Sequence, residues 1–263
     1  IGRNMLNFLE NHDEQRFAST FYAGDASRVL PSLVVSTMLS TGPMMIYFGQ
    51  ELGEPGADAE GYSGHDGRTT IFDYWSVSSV RRWLNEGKCD GNLTKAEADL
   101  RGLYAKVLTL ANEEKAVSEG TFFDLMYVNL ESAGLNPHRH YSFLRHHGDT
   151  TLFVIVNFGD TDDSLSVNVP QHAFECLGIP EGVDPEAVEL LAGDICPKTL
   201  SVSKPFECTV PAHGAVIWKI STARIEPLYS FKPLAVKRPA PKKQSTPEKA
   251  AKKSATKKKT PSK

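Results

Sequence analysis

The sequence predicts an α/β chain in which a parallel-sheet unit precedes an antiparallel β-sandwich domain and a disordered basic tail. Three observations carry this. Two short apolar runs, Met5 to Leu9 and Met44 to Phe48, flank a helical pattern, and strand–helix–strand at this spacing is a βαβ unit with a parallel sheet. From Gly120 the pattern changes to short alternating runs separated by turns, the signature of an antiparallel sandwich. After Val236 the chain is Lys, Ala, Pro, Ser and Thr with almost nothing apolar, so it cannot bury enough surface to fold.

Charge divides the chain the same way. Of 29 Lys and Arg, 13 fall in residues 223–263, which hold only Glu226 and Glu248 of the 32 acids, a net of +11. The remaining 16 basic and 30 acidic residues give residues 1–222 a net of −14. A tail of this kind is expected to serve for solubility or anchoring, with weak, salt-sensitive binding of nucleic acid or anionic surfaces through charge alone as the alternative. It lacks the interleaved aromatics that stack on bases. A polyanion-binding protein driven by the tail is a poor reading, because the acidic body repels the same partner.

The elements follow in order. The Met5–Leu9 run reads as a buried strand. Asp25 is an N-cap for a helix over Ala26–Leu39, in which Pro31 predicts a kink or a later start. Met44–Phe48, wholly apolar, reads as a strand buried on both faces. Glu51 to Trp75 is a long loop rich in Gly and Asp, and loops of this length are usually functional. Ser76–Leu84 is a short helix with Trp83 inward. Thr94-Lys95-Ala96-Glu97 is a capping box opening a helix to about Ala111, with Leu100, Leu103, Tyr104, Val107, Leu108 and Ala111 on its core face. Asn92-Leu93-Thr94 matches a glycosylation sequon, but its overlap with the cap favours the structural role.

Eight strands are expected beyond Gly120: 122–127, 141–145, 151–158, 164–169, 188–191, 199–202, 206–210 and 215–220. His138, His140, His146 and His147 cluster around a hairpin with no carboxylate or thiol completing a ligand pattern, so they read as exposed histidines and no metal site is assigned. Cys89, Cys176, Cys196 and Cys208 are widely spaced, which suggests neither zinc nor a disulfide framework. They favour a reducing, cytoplasmic location. No stretch is long and apolar enough to span a membrane.

The chemistry concentrates where the first apolar run ends, in Phe8-Leu9-Glu10-Asn11-His12-Asp13-Glu14-Gln15-Arg16. The C-terminal ends of parallel strands are where α/β barrels place their functional groups. Asn11-His12-Asp13 sets an imidazole beside a carboxylate, suited to hydrogen-bonding vicinal sugar hydroxyls and facing a developing positive charge. Asn and Asp are also turn formers, so a plain strand-to-loop turn is the competing reading. The long loop carries Asp58, His65, Asp66, Arg68, Tyr74 and Trp75, charged groups for hydroxyls and aromatics for a sugar's apolar face.

Phe8-Leu9-Glu10-Asn11-His12-Asp13 resembles the segment that the α-amylase family of glycoside hydrolases carries at the end of its seventh barrel strand. Gly42-Pro43-Met44-Met45-Ile46-Tyr47-Phe48-Gly49-Gln50-Glu51 resembles that family's eighth strand and following loop, and Val210–Trp218 its usual last β-domain strand. The resemblance covers roughly residues 1–222. It implies the C-terminal portion of a (β/α)8 barrel over 1–116, a C-terminal β-sandwich over 117–222 and a Lys/Pro/Ala-rich tail over 223–263, with the first six barrel strands expected upstream.

By the same resemblance the parent is a retaining hydrolase of α-1,4-glucosidic bonds in starch, glycogen or maltodextrins, this portion alone being inactive. Asp13 is then the transition-state stabiliser. Asn11, His12, Arg16, Asp66 and Arg68 are substrate-binding, Arg16 by pairing with acids to hold the constellation. Chloride near Arg16 occurs in some relatives. The nucleophile and general acid are expected upstream, as is any calcium. Glu10 and Glu14 are read as supporting or surface groups, and Glu51 as orienting the eighth-strand loop. The alternatives are a non-catalytic relative that binds carbohydrate or a partner, and a glucan transglycosylase or branching enzyme.

Overall fold

The computed structural model describes residues 5–57, 65–72, 77–88, 91–131 and 134–225, all within one compact unit. Asp58, Tyr74, Trp75, Cys89 and the Lys-rich stretch from 226 onward lie outside the described residues.

Strand β1 (Asn7–Phe8) pairs in parallel with β2 (Met44–Met45), Asn7 opposite Met44, through the helical crossover between them. The Asp25 carboxylate accepts the Ser27 N–H at 2.8 Å and opens a 3-10 turn over Ala26–Val29. The α-helix proper, α1 (Leu30–Met38), has Pro31 in its first turn, where a missing N–H costs nothing. Both strands are shorter than the apolar runs that hold them, and the expectation of full burial fails. Met5, Leu6 and Phe8 are 59%, 49% and 40% exposed, and Met44 to Ile46 are half-buried, because each strand has a single pairing partner among the described residues.

Helix α2 (Ser78–Leu84) is followed by α3 (Lys95–Glu113), whose capping box is formed in both directions between Thr94 and Glu97. Glu97 also takes the Arg82 guanidinium, which ties α2 to the start of α3. Trp83 is half-buried under Arg101, whose guanidinium lies 4.1 Å from its ring. Helix α4 (Lys115–Ser118) leads into the β region.

There a six-stranded antiparallel sheet runs in the order β3 (Thr121–Asp124), β4 (His140–His147), β5 (Thr150–Asn157), β10 (Gly214–Ser221), β7 (Gly182–Glu189), β8 (Ile195–Leu200). A two-stranded ribbon, β6 (Asp163–Val167) with β9 (Phe206–Val210), and helix α5 (Gln171–Leu177) cover one face. The alternation of the central strands feeds two cores. Leu144, Phe153, Ile155, Val216 and Trp218 point to the ribbon and α5, while Phe143, Leu152, Val154 and Ile217 point to α1 and α3. Arg145, buried on β4, donates to the carbonyls of Leu39, Ala116, Val117 and Gly120, caps the ends of α1 and α4, and locks them to the sheet.

The strands appear in the expected order, but β8 begins at Ile195 rather than Thr199, and two further differences have local causes. Strand β7 begins at Gly182, six residues before the expected start, because Pro185 sits in a bulge between Asp184 and Ala187 and hides the alternation. Helix α5 is short and flanked by strand-like runs, so its period is not visible. The histidines are not all exposed either. His140 is buried, its Nε2 2.9 Å from the Asp163 carboxylate and its Nδ1 accepting the Asn136 N–H. Asp163 reaches it from β6, a partner invisible in local sequence.

Asp184 is fully buried beneath Arg224, which donates at 2.9 and 3.0 Å, and it also accepts the Ser221 and Glu186 N–H groups. Burial opposes its ionisation, but these hydrogen bonds outweigh it and hold the carboxyl below its usual range. A lowered carboxyl contributes stability above its unfolded pKa and loses it as pH falls through the folded value. We therefore expect urea stability to drop below about pH 4 and Asp184→Asn to flatten that drop, at a cost near neutrality of about 2–3 kcal/mol. An unchanged acid limb in the variant contradicts this.

Candidate active site

The polar turn at the end of β1 is built by Asn11. Its side-chain oxygen accepts the N–H groups of Asp13 at 2.8 Å and Glu14 at 2.9 Å, which reverses the chain and turns the next two side chains outward. His12 and Asp13 are 55% and 74% exposed, with His12 Nε2 3.5 Å from Asp13 Oδ2. A solvated imidazole–carboxylate pair is free to exchange water for sugar hydroxyls.

Beneath this turn the chain plunges inward. Arg16 is fully buried: Nη1 donates to Glu10 Oε2 at 2.9 Å and Nε to Thr69 Oγ1 at 2.9 Å. Its guanidinium stacks 4.3 Å from the Tyr47 ring and 4.7 Å from Phe48. The other Glu10 oxygen accepts the Phe17 N–H at 2.8 Å. Burial pushes the Glu10 carboxyl above its usual range, while Arg16 and that N–H pull it back down. Arg16 is thus enclosed and paired with an acid, and presents no surface to solvent. Its Nη2 is buried without a partner among the described residues.

Arg16 also joins the two strand-end loops, since its backbone N–H donates to Gly67 O at 2.8 Å. Gly67 sits at φ +80, where a Cβ would stand 2.0 Å from Ser19 Oγ, so only glycine fits this approach. On either side of it Asp66 and Arg68 pair with each other: Nη2 to Oδ2 is 2.6 Å, Nε to Oδ2 2.8 Å, and the Arg68 N–H meets Oδ1 at 3.1 Å. The hydrogen bond from Arg68 holds the Asp66 carboxyl below its usual range. Both side chains remain about one-third exposed. Segments far apart in sequence thus meet at the end of the parallel strands.

The loop after β2 is not organised through Glu51 as expected. Gln50 and Glu54 do this. Gln50 accepts the Tyr47 N–H and donates to the buried Tyr104 hydroxyl, and Glu54 accepts the Gly56 N–H and the Ser79 hydroxyl. Tyr47 and Thr69 give no local sign of enclosing Arg16, the first reading as a strand residue and the second as loop. Glu10 carried a signal: an ionisable group at the end of an apolar run needs a buried partner. Among the described residues no group of three or more His, Cys, Asp or Glu is arranged to hold a metal ion. No described helix is long and apolar enough to cross a membrane.

Comparison with known proteins places this geometry. No family model matches the sequence, and no curated protein does. Solved structures do match. AmyP in complex with maltose has a TM-score of 0.56 at 18% identity, over 81% of this chain and 40% of its own. The Anoxybacillus α-amylase gives 0.55 at 16%, over 87% and 39%. The Geobacillus thermoleovorans α-amylase complexed with acarbose gives 0.53 at 15%, over 83% and 39%. The chain thus has the fold of the C-terminal part of α-amylase-family enzymes and spans about two-fifths of their length.

Breaking the Arg16–Glu10 pair from one side leaves a buried charge uncompensated. Arg16→Met is expected to cost about 3–5 kcal/mol in urea unfolding, and adding Glu10→Gln to recover a large part of it. Additive losses in that double-mutant cycle contradict the pairing.

Proposed function

We propose that this chain is part of a retaining glycoside hydrolase of the α-amylase type, which cleaves α-1,4-glucosidic bonds in starch, glycogen or maltodextrins. The observation that carries the reading is the exposed His12–Asp13 pair at the end of a parallel strand, in a fold shared with amylases. AmyP, with that fold, is described bound to maltose and, as a variant, to maltotriose. An α-glucan is the matching substrate for this chain.

Retaining cleavage uses a nucleophile and a general acid/base about 5–5.5 Å apart, through an oxocarbenium-like transition state. Asp13 is assigned to neither role. Its exposed carboxylate, held in place by the Asn11 turn, stabilises positive charge developing on the sugar. His12 donates to a hydroxyl of the same sugar, and Asp66 and Arg68 hold a neighbouring unit. Asn11 and Arg16 act at one remove, Asn11 by shaping the turn and Arg16 by anchoring it. None of Glu10, Glu14 and Glu51 is proposed as nucleophile or acid. Glu10 is buried and already bonded by Arg16 and Phe17, Glu14 follows the turn that presents Asp13, and Glu51 lies in the loop after β2. We place the two acids in the remaining part of a longer protein.

Two outcomes follow. In the parent, Asp13→Asn is expected to lower kcat on the order of 10²–10³-fold with the melting temperature unchanged, since the side chain is solvated and makes no buried bond. Near-normal turnover removes Asp13 from the mechanism. The isolated 263 residues are expected to release no maltose from starch, and measurable release overturns the assignment of the two acids elsewhere.

A further inference from the structure

The loop that follows the His12–Asp13 turn presents two aromatic rings to solvent. Phe21 is 55% exposed and Tyr22 67%. Neither is a loosely held tip. The Phe21 N–H donates to Ser19 Oγ at 3.2 Å and the Tyr22 N–H to Ser19 O at 2.9 Å. The Tyr22 ring meets the buried Phe17 edge-on, with centroids 5.6 Å apart. Phe17 in turn is bonded through its N–H to Glu10, so the rings hang from the same anchor that fixes the His12–Asp13 turn.

The position of Phe21 is informative. A Cβ built on Gly67 would stand 3.2 Å from its ring, so the ring lies against the backbone between Asp66 and Arg68. An exposed apolar ring face therefore adjoins a carboxylate–guanidinium pair that is about one-third exposed. That is the combination a pyranose needs: its C–H face stacks on an aromatic ring while its equatorial hydroxyls meet charged groups at the ring's edge. A protein surface covering the rings would also strip water from the partly exposed Asp66–Arg68 pair, at a desolvation cost that hydroxyl-rich sugar does not impose.

We infer that Phe21 and Tyr22 form a stacking shelf for an α-glucan chain, extending the substrate track beyond the sugar held by His12 and Asp13. This rests on the function proposed above. The shelf contributes to holding long chains and not to bond cleavage, so it separates polymeric from short substrates.

The test compares the full-length protein with Phe21→Ala/Tyr22→Ala in two readouts: retention in native gels containing soluble starch, and cleavage of maltotriose. Starch affinity is expected to fall roughly tenfold, for two lost stacking faces, with maltotriose turnover unchanged. The swap Phe21→Tyr/Tyr22→Phe keeps both rings and is expected to keep retention, which guards against a folding defect in the alanine variant. Unchanged starch retention in the alanine variant, with maltotriose cleavage intact, overturns the shelf and leaves the hydrolase reading standing. Loss of self-association instead of starch retention identifies a protein contact and also overturns it. If the unaltered protein neither binds starch nor cleaves maltotriose, both readings fall together.

Discussion

The turn at the end of β1 depends on one buried ion pair, Arg16 with Glu10. Taking a guanidinium and a carboxylate out of water is expensive, and such pairs contribute little to net stability compared with well-packed apolar side chains. What this one contributes is geometry. A planar guanidinium has directional donors and flat faces, and here both are in use. The donors reach Glu10 and Thr69, and the rings of Tyr47 and Phe48 lie against the guanidinium. One side chain thereby fixes the end of β1, the start of β2's loop and the 65–70 segment relative to one another. The His12–Asp13 turn is then free to be solvated, because nothing in it has to hold the fold together.

The same division of labour runs through the rest of the chain. The six-stranded sheet is buried on both faces in its centre, so β5 and β10 supply a rigid plane between two cores. Arg145 repeats at the other end of α1 what Arg16 does at the strand ends: a buried cation satisfied by several acceptors joins elements distant in sequence. Apolar burial supplies the stability, and these two arginines set the register between the parallel pair, the helices and the sheet.

Much of this was legible in the sequence, for identifiable reasons. The capping box at Thr94, the N-cap at Asp25 and the helix start near Pro31 are local effects within four residues, and all three stand as read. The antiparallel strands announce themselves by period two. What escaped depends on partners far along the chain. Nothing near His140 shows that Asp163 buries it, and nothing near Arg16 shows that Thr69 and Tyr47 enclose it. The two parallel strands are shorter than their apolar runs because such a run records what can be buried, not how many neighbours bury it. Asn11, His12 and Asp13 read alike as a polar group in the sequence, and only the geometry separates the turn-forming Asn11 from the outward pair.

The central claim is that a turn anchored by Arg16 and Glu10 offers His12 and Asp13 to an α-glucan. The most direct measurement is an amide-resolved NMR titration of this chain with maltoheptaose. The account predicts shifts centred on the backbone amides of His12, Asp13, Gly67 and Arg68, while the Arg16 and Phe17 amides, hydrogen-bonded to Gly67 and Glu10, stay protected from hydrogen exchange throughout. Shifts confined to other surfaces, or rapid exchange at Phe17, contradict it.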